Sequence, residues 1–185
     1  MMSANSIFDR FETIINDPWL RKELFRRKAD ALTGFKPYDV AQQIRDLKIT
    51  NSFKQRLLGI LASEKGNNIY IDFWGDWCPP CMMEMPNYPE LIKYMKNDPV
   101  KFIFMSSRTT EESMNAIRKK YGIKADFYNL SDEETAVVTS AFRFQSYPAH
   151  FVISKEGKII GSLEMHIGND NIPHRAGEIK KMLGL

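Results

Sequence analysis

Apolar positions follow two rhythms along this chain, and the change between them falls near residue 46. Before it, Phe8, Phe11, Ile14 and Ile15 recur at helical spacing. The run NDPWLRKELFRRKADALTG opens with Asp17 as an N-cap and Pro18 at the first helical position, and closes with Gly34 as a stop. A third short helix is expected after Pro37, with Val40, Ile44 and Leu47 on one face. Beyond residue 46, short apolar runs alternate with amphipathic ones. LKIT (47–50) reads as a short strand, and SFKQRLLGILASEKG (52–66) as a helix with Phe53, Leu57 and Leu61 inward. NIYIDFW (68–74) and VKFIFMSS (100–107) are apolar nearly throughout, as strands buried on both faces are. Between them a helix is expected from Cys78 to about Lys96. TTEESMNAIRKKYG reads as a helix ended by Gly122, ADFYNL as a strand, and SDEETAVVTSAF as a helix with Ser131 and Glu134 set for a capping box. PAHFVIS and GKIIGSLEMHI read as strands joined by KEG, before a closing helix in DNIPHRAGEIKKMLG. The expected fold is therefore α/β: a central parallel or mixed sheet over residues 46–185 with helices on both faces, preceded by a helical extension over residues 1–45.

Composition narrows what such a fold can do. At 185 residues with 43% hydrophobic content, the chain can bury a sizeable core. Its net charge of +3 argues for neither nucleic acid nor an anionic membrane as partner. The excess is local: residues 1–66 hold 12 basic and 8 acidic side chains, and RKELFRRK reads as a solvated helix face. No run approaches the roughly 20 apolar residues of a membrane span. The opening segment has no secretory core, because Asp9, Arg10, Glu12 and Asp17 interrupt it. A complete chain would thus be cytoplasmic; a chain whose export signal has been removed would be periplasmic or in the cell envelope.

The only two cysteines, Cys78 and Cys81, lie in the stretch IYIDFWGDWCPPCMMEMP. Zinc would need four ligands, of which one C-x-x-C supplies two. His150, His166 and His174 are the remaining nitrogen donors, and none has paired spacing. A redox dithiol fits better, and no metal or organic cofactor is expected. Cys78 falls where a buried strand turns into a helix, so the dipole and free amides of the helix start favour its thiolate. Cys81, one turn in, is close enough to form a disulfide and is shielded. Cys78 is thus the expected nucleophile and Cys81 the resolving thiol.

These residues resemble a family. YIDFWGDWCPPC is similar to the active-site strand and motif of thioredoxin-fold proteins, over about residues 46–185. Pro86 falls where that family kinks its active-site helix, and SYPAHFVI resembles the segment with its cis-proline, here Pro148. Asp72 matches the family's buried acid beneath the resolving cysteine. The extra strand and helix before SYPAHF, and Glu84 three after Cys81, resemble TlpA- and ResA-type thiol reductases; WCPPC also occurs in tryparedoxin-like proteins. The resemblance implies a three-layer thioredoxin-like fold and a thiol–disulfide oxidoreductase acting through a mixed disulfide. It implies protein disulfides as substrates and an upstream thiol reductant as partner. Trp77, Tyr147 and Pro148 would contact substrate, and Asp72 or Glu84 would help deprotonate Cys81. A cytoplasmic electron donor to a peroxidase and a redox-inactive binding module are the alternatives.

The chain departs from thioredoxin where a lysine is expected near the buried acid: Met105, Ser106 and Ser107 end that strand. His150 shares a strand face with Pro148 and would point beneath the active-site helix towards Asp72. Either it pairs with Asp72 as a proton relay, or it is a buried histidine bonded to backbone. Glu84 is likewise either an ordinary helix acid or a proton carrier. Asp76 reads as a solvated turn acid, Trp74 as core, and Met82, Met83 and Met85 as helix packing or an adaptable docking patch.

Overall fold

Residues 35–163 and 167–185 are described by a computed structural model. The two helices expected before Gly34, and His166, lie outside the described residues. In chain order the elements are β1 (Tyr38–Asp39), α1 (Val40–Asp46), α2 (Asn51–Ser63), β2 (Asn68–Trp74), α3 (Pro79–Glu84), a 3-10 turn (Met85–Asn87), α4 (Tyr88–Tyr94), β3 (Val100–Ser107), α5 (Glu111–Tyr121), β4 (Asp126–Leu130), α6 (Asp132–Phe142), β5 (Ala149–Ile153), β6 (Lys158–Leu163) and α7 (Ile172–Leu183). They belong to a unit spanning Tyr38–Leu185.

The strands make one mixed sheet in the order β1-β6-β5-β2-β3-β4. β2, β3 and β4 are parallel, and β5, β6 and β1 add antiparallel pairings on the other side. β2 is central, which is why Ile69 to Trp74 are all buried. Its side chains alternate between two cores. Tyr70 and Trp74 face the layer of α3, α4 and α7, with Tyr88, Leu91, Ile172 and Ile179. Phe73 faces the opposite layer, where its ring meets Phe142, Phe144 and Phe151. There α6 packs against α1 and α2. Helices thus cover both faces, as the alternation of runs implied.

Four local expectations need correction. LKIT is not a strand: it links α1 to α2. The buried Lys54 ammonium donates to the carbonyls of Arg45 and Leu47, satisfying the orphan acceptors at the end of α1. Lys54 takes an inward place on α2, so Leu57 and Ile60 are its buried apolar residues while Phe53 and Leu61 are half-buried. The active-site helix is not continuous to Lys96 but breaks at the 3-10 turn. Pro86 has no N–H for the carbonyl of Met82, and Pro89 none for that of Met85. Finally, the edge strand β1 was not expected; its Asp39 carboxylate caps α1 by accepting from Gln42 N–H at 2.8 Å. The capping box of α6 is present, with Ser131 and Glu134 each accepting the other's amide.

Candidate functional site

The buried run of β2 carries the chain through Gly75 and Asp76 to Cys78, which caps α3 in extended conformation. Pro79 and Pro80 occupy the first helical turn, where a missing N–H costs nothing. Cys78 and Cys81 are joined as a disulfide with Cα atoms 5.3 Å apart. The Cys81 amide donates to Cys78 Sγ at 3.3 Å. The cysteines are 4% and 1% exposed, so the asymmetry between them rests on helix position more than on exposure.

An aromatic rim flanks the disulfide. Trp77 is 42% exposed, whereas Trp74 is fully buried. The Trp77 indole N–H donates to the Ser107 carbonyl at 2.8 Å, and its ring meets Tyr147 edge-on at 5.3 Å. The Arg108 guanidinium lies 4.2 Å from the Trp77 ring centre, from a residue in the left-handed region at φ 49°. The Tyr147–Pro148 peptide is cis. Asp76 is not merely solvated: it is half-buried and accepts from Thr109 Oγ1 at 3.2 Å and Ser113 Oγ at 2.6 Å, tying the turn to α5. Met85 is fully buried and Met83 is 75% exposed, so the methionines divide between packing and surface.

Gly75 is what lets Trp77 lie down. A Cβ there would sit 2.4 Å from Trp77 Nε1 and 3.0 Å from the Ser107 carbonyl. Gly75→Ala should therefore expel the indole from its bond, costing about 1–3 kcal/mol of stability. The Trp77 fluorescence, read against a Trp77→Phe control, should shift to longer wavelength. An unchanged spectrum would show that the ring does not depend on the glycine.

The active-site helix also carries Glu84 into a buried polar cluster. Asp72 on β2 pairs in register with His150 on β5, bringing both side chains to one face. His150 Nε2 is 2.9 Å from Glu84 Oε2 and 3.5 Å from Asp72 Oδ1, and Nδ1 is 3.2 Å from the Leu163 carbonyl. His150 therefore makes both the backbone contact and the acid contacts. Tyr88 O–H donates to Asp72 Oδ2 at 2.7 Å and lies 3.5 Å from Glu84 Oε2; the Ile167 amide donates to Glu84 Oε1 at 3.1 Å. Asp72 and Glu84 are each 1% exposed, His150 3%.

Burial pushes the Asp72 carboxyl up to about 7, with Glu84 adding to the rise and His150, Tyr88 and Arg175 opposing it. For His150 burial pulls the other way, but the Glu84 hydrogen bond and the Asp72 charge outweigh it and raise the imidazole. Burial also raises Tyr70 and Tyr88, so both phenols stay protonated, and Tyr88 donates to Asp72. Asp72, Glu84 and His150 each present one ligand-type atom within 4.8 Å of the others, the one such group among the described residues. Both cysteines are in the disulfide, and His174 is on the surface near Glu178.

The residues singled out in the sequence fall into two groups: Trp77 beside Cys78 in the chain with its ring against Tyr147, which precedes the cis Pro148, and Asp72, Glu84 and His150 gathered in one buried cluster. Gly75, Tyr88, Arg108 and the buried Arg175 were not singled out. Tyr88 alone had a sequence signal, standing four residues after Glu84 within the helix expected from Cys78 to about Lys96.

The thioredoxin-like family model matches residues 66–159, half of the chain. The chain belongs to that family. Thiol-disulfide oxidoreductase ResA of a Bacillus cereus strain is 30% identical over 122 residues, covering 66% of this chain and 67% of that protein. ResA of Bacillus anthracis is 28% identical over the same length and coverage. Among solved structures, a thiol:disulfide interchange protein of the thioredoxin family from Chlorobium tepidum TLS has a TM-score of 0.57 at 22% identity, over 66% of this chain and 84% of that one. These relatives are thioredoxin-type thiol–disulfide oxidoreductases, and in this chain a C-x-x-C motif is closed by a disulfide.

Proposed function

We propose that this protein reduces disulfide bonds in protein substrates through the Cys78–Cys81 pair. The observation that carries the proposal is a helix-capping Cys78 bonded to Cys81 on the helix that also carries Glu84 of a buried acid–imidazole cluster. In the reduced enzyme the Cys78 thiolate attacks one sulfur of the substrate disulfide, forming a mixed disulfide and releasing the other substrate sulfur as a thiolate. Cys81 loses its proton to the cluster of Asp72, Glu84 and His150. Its thiolate then attacks Cys78 Sγ, the second substrate thiol leaves, and the enzyme ends as the disulfide. An upstream dithiol reductant returns it to the starting state. The cycle uses no metal or organic cofactor. Trp77, Tyr147 and Pro148 form the surface on which substrate backbone rests. The likeness to ResA favours the periplasm or cell envelope as the proposed compartment, which the sequence upstream of the native gene would test. Among the described residues no helix is long and apolar enough to cross a membrane.

Insulin reduction with dithiothreitol as reductant tests the activity: precipitation should accelerate well above the uncatalysed rate. A protein that binds partners but leaves that rate unchanged would be a docking module.

The direction of the chemistry follows from the helix start. Pro79 and Pro80 have no amide to offer Cys78, and the first that reaches its sulfur is that of Cys81. The thiolate is thus less stabilised than in a motif with amide-bearing middle residues, which favours a reducing protein. Equilibration with glutathione should place the potential nearer thioredoxin's roughly −270 mV than the roughly −120 mV of a strong oxidant. A value near the latter would reverse the proposed direction.

A further inference from the structure

Backbone contacts restrict where protons can sit in the buried cluster. The Leu163 carbonyl can only accept, so His150 Nδ1, 3.2 Å away, carries an N–H. The 2.9 Å contact between Nε2 and Glu84 Oε2 then holds one proton, as imidazolium–carboxylate or imidazole–carboxylic acid. A second proton there would set two donors against each other, and Glu84 Oε1 already accepts from the Ile167 amide. The pair is full. Asp72 has room: among the described residues its Oδ1 makes no hydrogen bond, and its Oδ2 is held only by Tyr88.

Tyr88 is placed to serve two states of that acid. Its ring is fixed edge-on against Phe104 at 4.6 Å, and its hydroxyl stands 2.7 Å from Asp72 Oδ2 and 3.5 Å from Glu84 Oε2. When Asp72 is ionised, the single phenolic proton points to it in a charge-assisted bond. When Asp72 is protonated on Oδ2, the hydroxyl accepts that proton's hydrogen bond and turns its own towards Glu84. The other ionisable groups around them are Tyr70 on β2, His150 on β5, Glu84 on α3 and Arg175 on α7. The Arg175 guanidinium is buried, and its two Nη atoms make no hydrogen bond among the described residues.

We infer that Tyr88 is a positioning residue that sets the pH at which Asp72 takes up a proton, by turning its hydroxyl between Asp72 and Glu84. In the catalytic cycle this fixes when Asp72 can receive the Cys81 proton, a step that rests on the reductase reading above. No electron moves through Tyr88; one proton is gained by Asp72 and one lost by Cys81.

The test is ¹³C-carboxyl NMR of the oxidised protein labelled at aspartate, with Asp72→Asn to assign the resonance. Because the cysteines are locked, the titration does not depend on turnover. Tyr88→Phe keeps the ring and removes one donor to the ionised acid, so the Asp72 midpoint should rise by about one to two pH units. Fluorotyrosine at position 88 keeps the hydroxyl and makes it a stronger donor, so the midpoint should fall. Opposite shifts in the two variants support the inference, because a purely structural tyrosine would not produce them. A midpoint unmoved in Tyr88→Phe, or shifted the same way in both, overturns it. The fluorotyrosine variant decides alone should the phenylalanine variant not fold: a midpoint that fails to fall overturns the inference. Resolution of the mixed disulfide is then followed against pH in the same variants. If the Asp72 midpoint moves and the resolution profile does not, Tyr88 still governs Asp72, and Asp72 as acceptor of the Cys81 proton is what fails.

Discussion

Cys78→Ser is expected to abolish disulfide reduction, and Cys81→Ser to halt the cycle at a substrate-linked intermediate. A serine hydroxyl is neither ionised at neutral pH nor able to form a disulfide, so without the Cys78 thiolate the first bond is never made. The loss should be at least about a thousandfold, on the order of 4 kcal/mol of transition-state stabilisation. Cys81→Ser leaves the attacking sulfur in place at the helix cap and removes only the thiol that releases the product. Its adduct should persist on non-reducing gels until an external thiol displaces it, and mass spectrometry should find the substrate on Cys78. The two variants thus fail in different ways, although their cysteines are similarly buried. What separates them is position: Cys78 precedes the first helical turn, and Cys81 lies within it, three residues before Glu84. Iodoacetamide reacting with Cys81 before Cys78 in the reduced protein at neutral pH would invert the assignment.

Much of this site is written in local pattern. The unbroken apolar run from Ile69 marks a central strand, and a thiol at the strand-to-helix turn is placed by that run alone. The register that sets His150 opposite Asp72 follows from side-chain alternation once β5 lies beside β2. The parts that escape are those decided by distant contacts. β1 has two residues, too few for any periodicity, and exists because β6 offers an open edge. LKIT has a strand's composition, but Lys54, seven residues after Leu47, claims the Leu47 carbonyl. Gly75 matters because the Ser107 carbonyl lies across the sheet, and Arg108 because Trp77 is pinned next to it. Tyr88 was not singled out, because its spacing from Glu84 does not by itself distinguish it from the other core aromatics of the chain. Only the fold shows that its hydroxyl ends between two buried acids.

The second large effect concerns stability: Asp72→Asn should make the oxidised protein more stable above neutrality and leave it nearly unchanged below pH 4. Burial raises the folded-state carboxyl from 3.8 to about 7, against desolvation-relieving contributions from His150, Tyr88 and Arg175 that are too small to cancel it. Between those two values the folded chain holds a proton that the unfolded chain has released, so stability falls as pH rises through that window. Above it the full penalty is present, on the order of 4 kcal/mol at about 1.4 kcal/mol per pH unit. Asparagine has no ionised form to bury and keeps an oxygen to accept from Tyr88, so the variant escapes the penalty. His150 tilts the wild type the same way. Its raised imidazole contributes stability below about 6.5 that is lost as pH climbs through the higher folded value. Urea denaturation at pH 8 and pH 4 measures both ends. A variant no more stable than wild type at pH 8 would mean that Asp72 is not a costly buried charge. On the proposed mechanism, the same raised proton affinity that weakens the fold would let Asp72 take a proton from one thiol and return it within a single catalytic cycle.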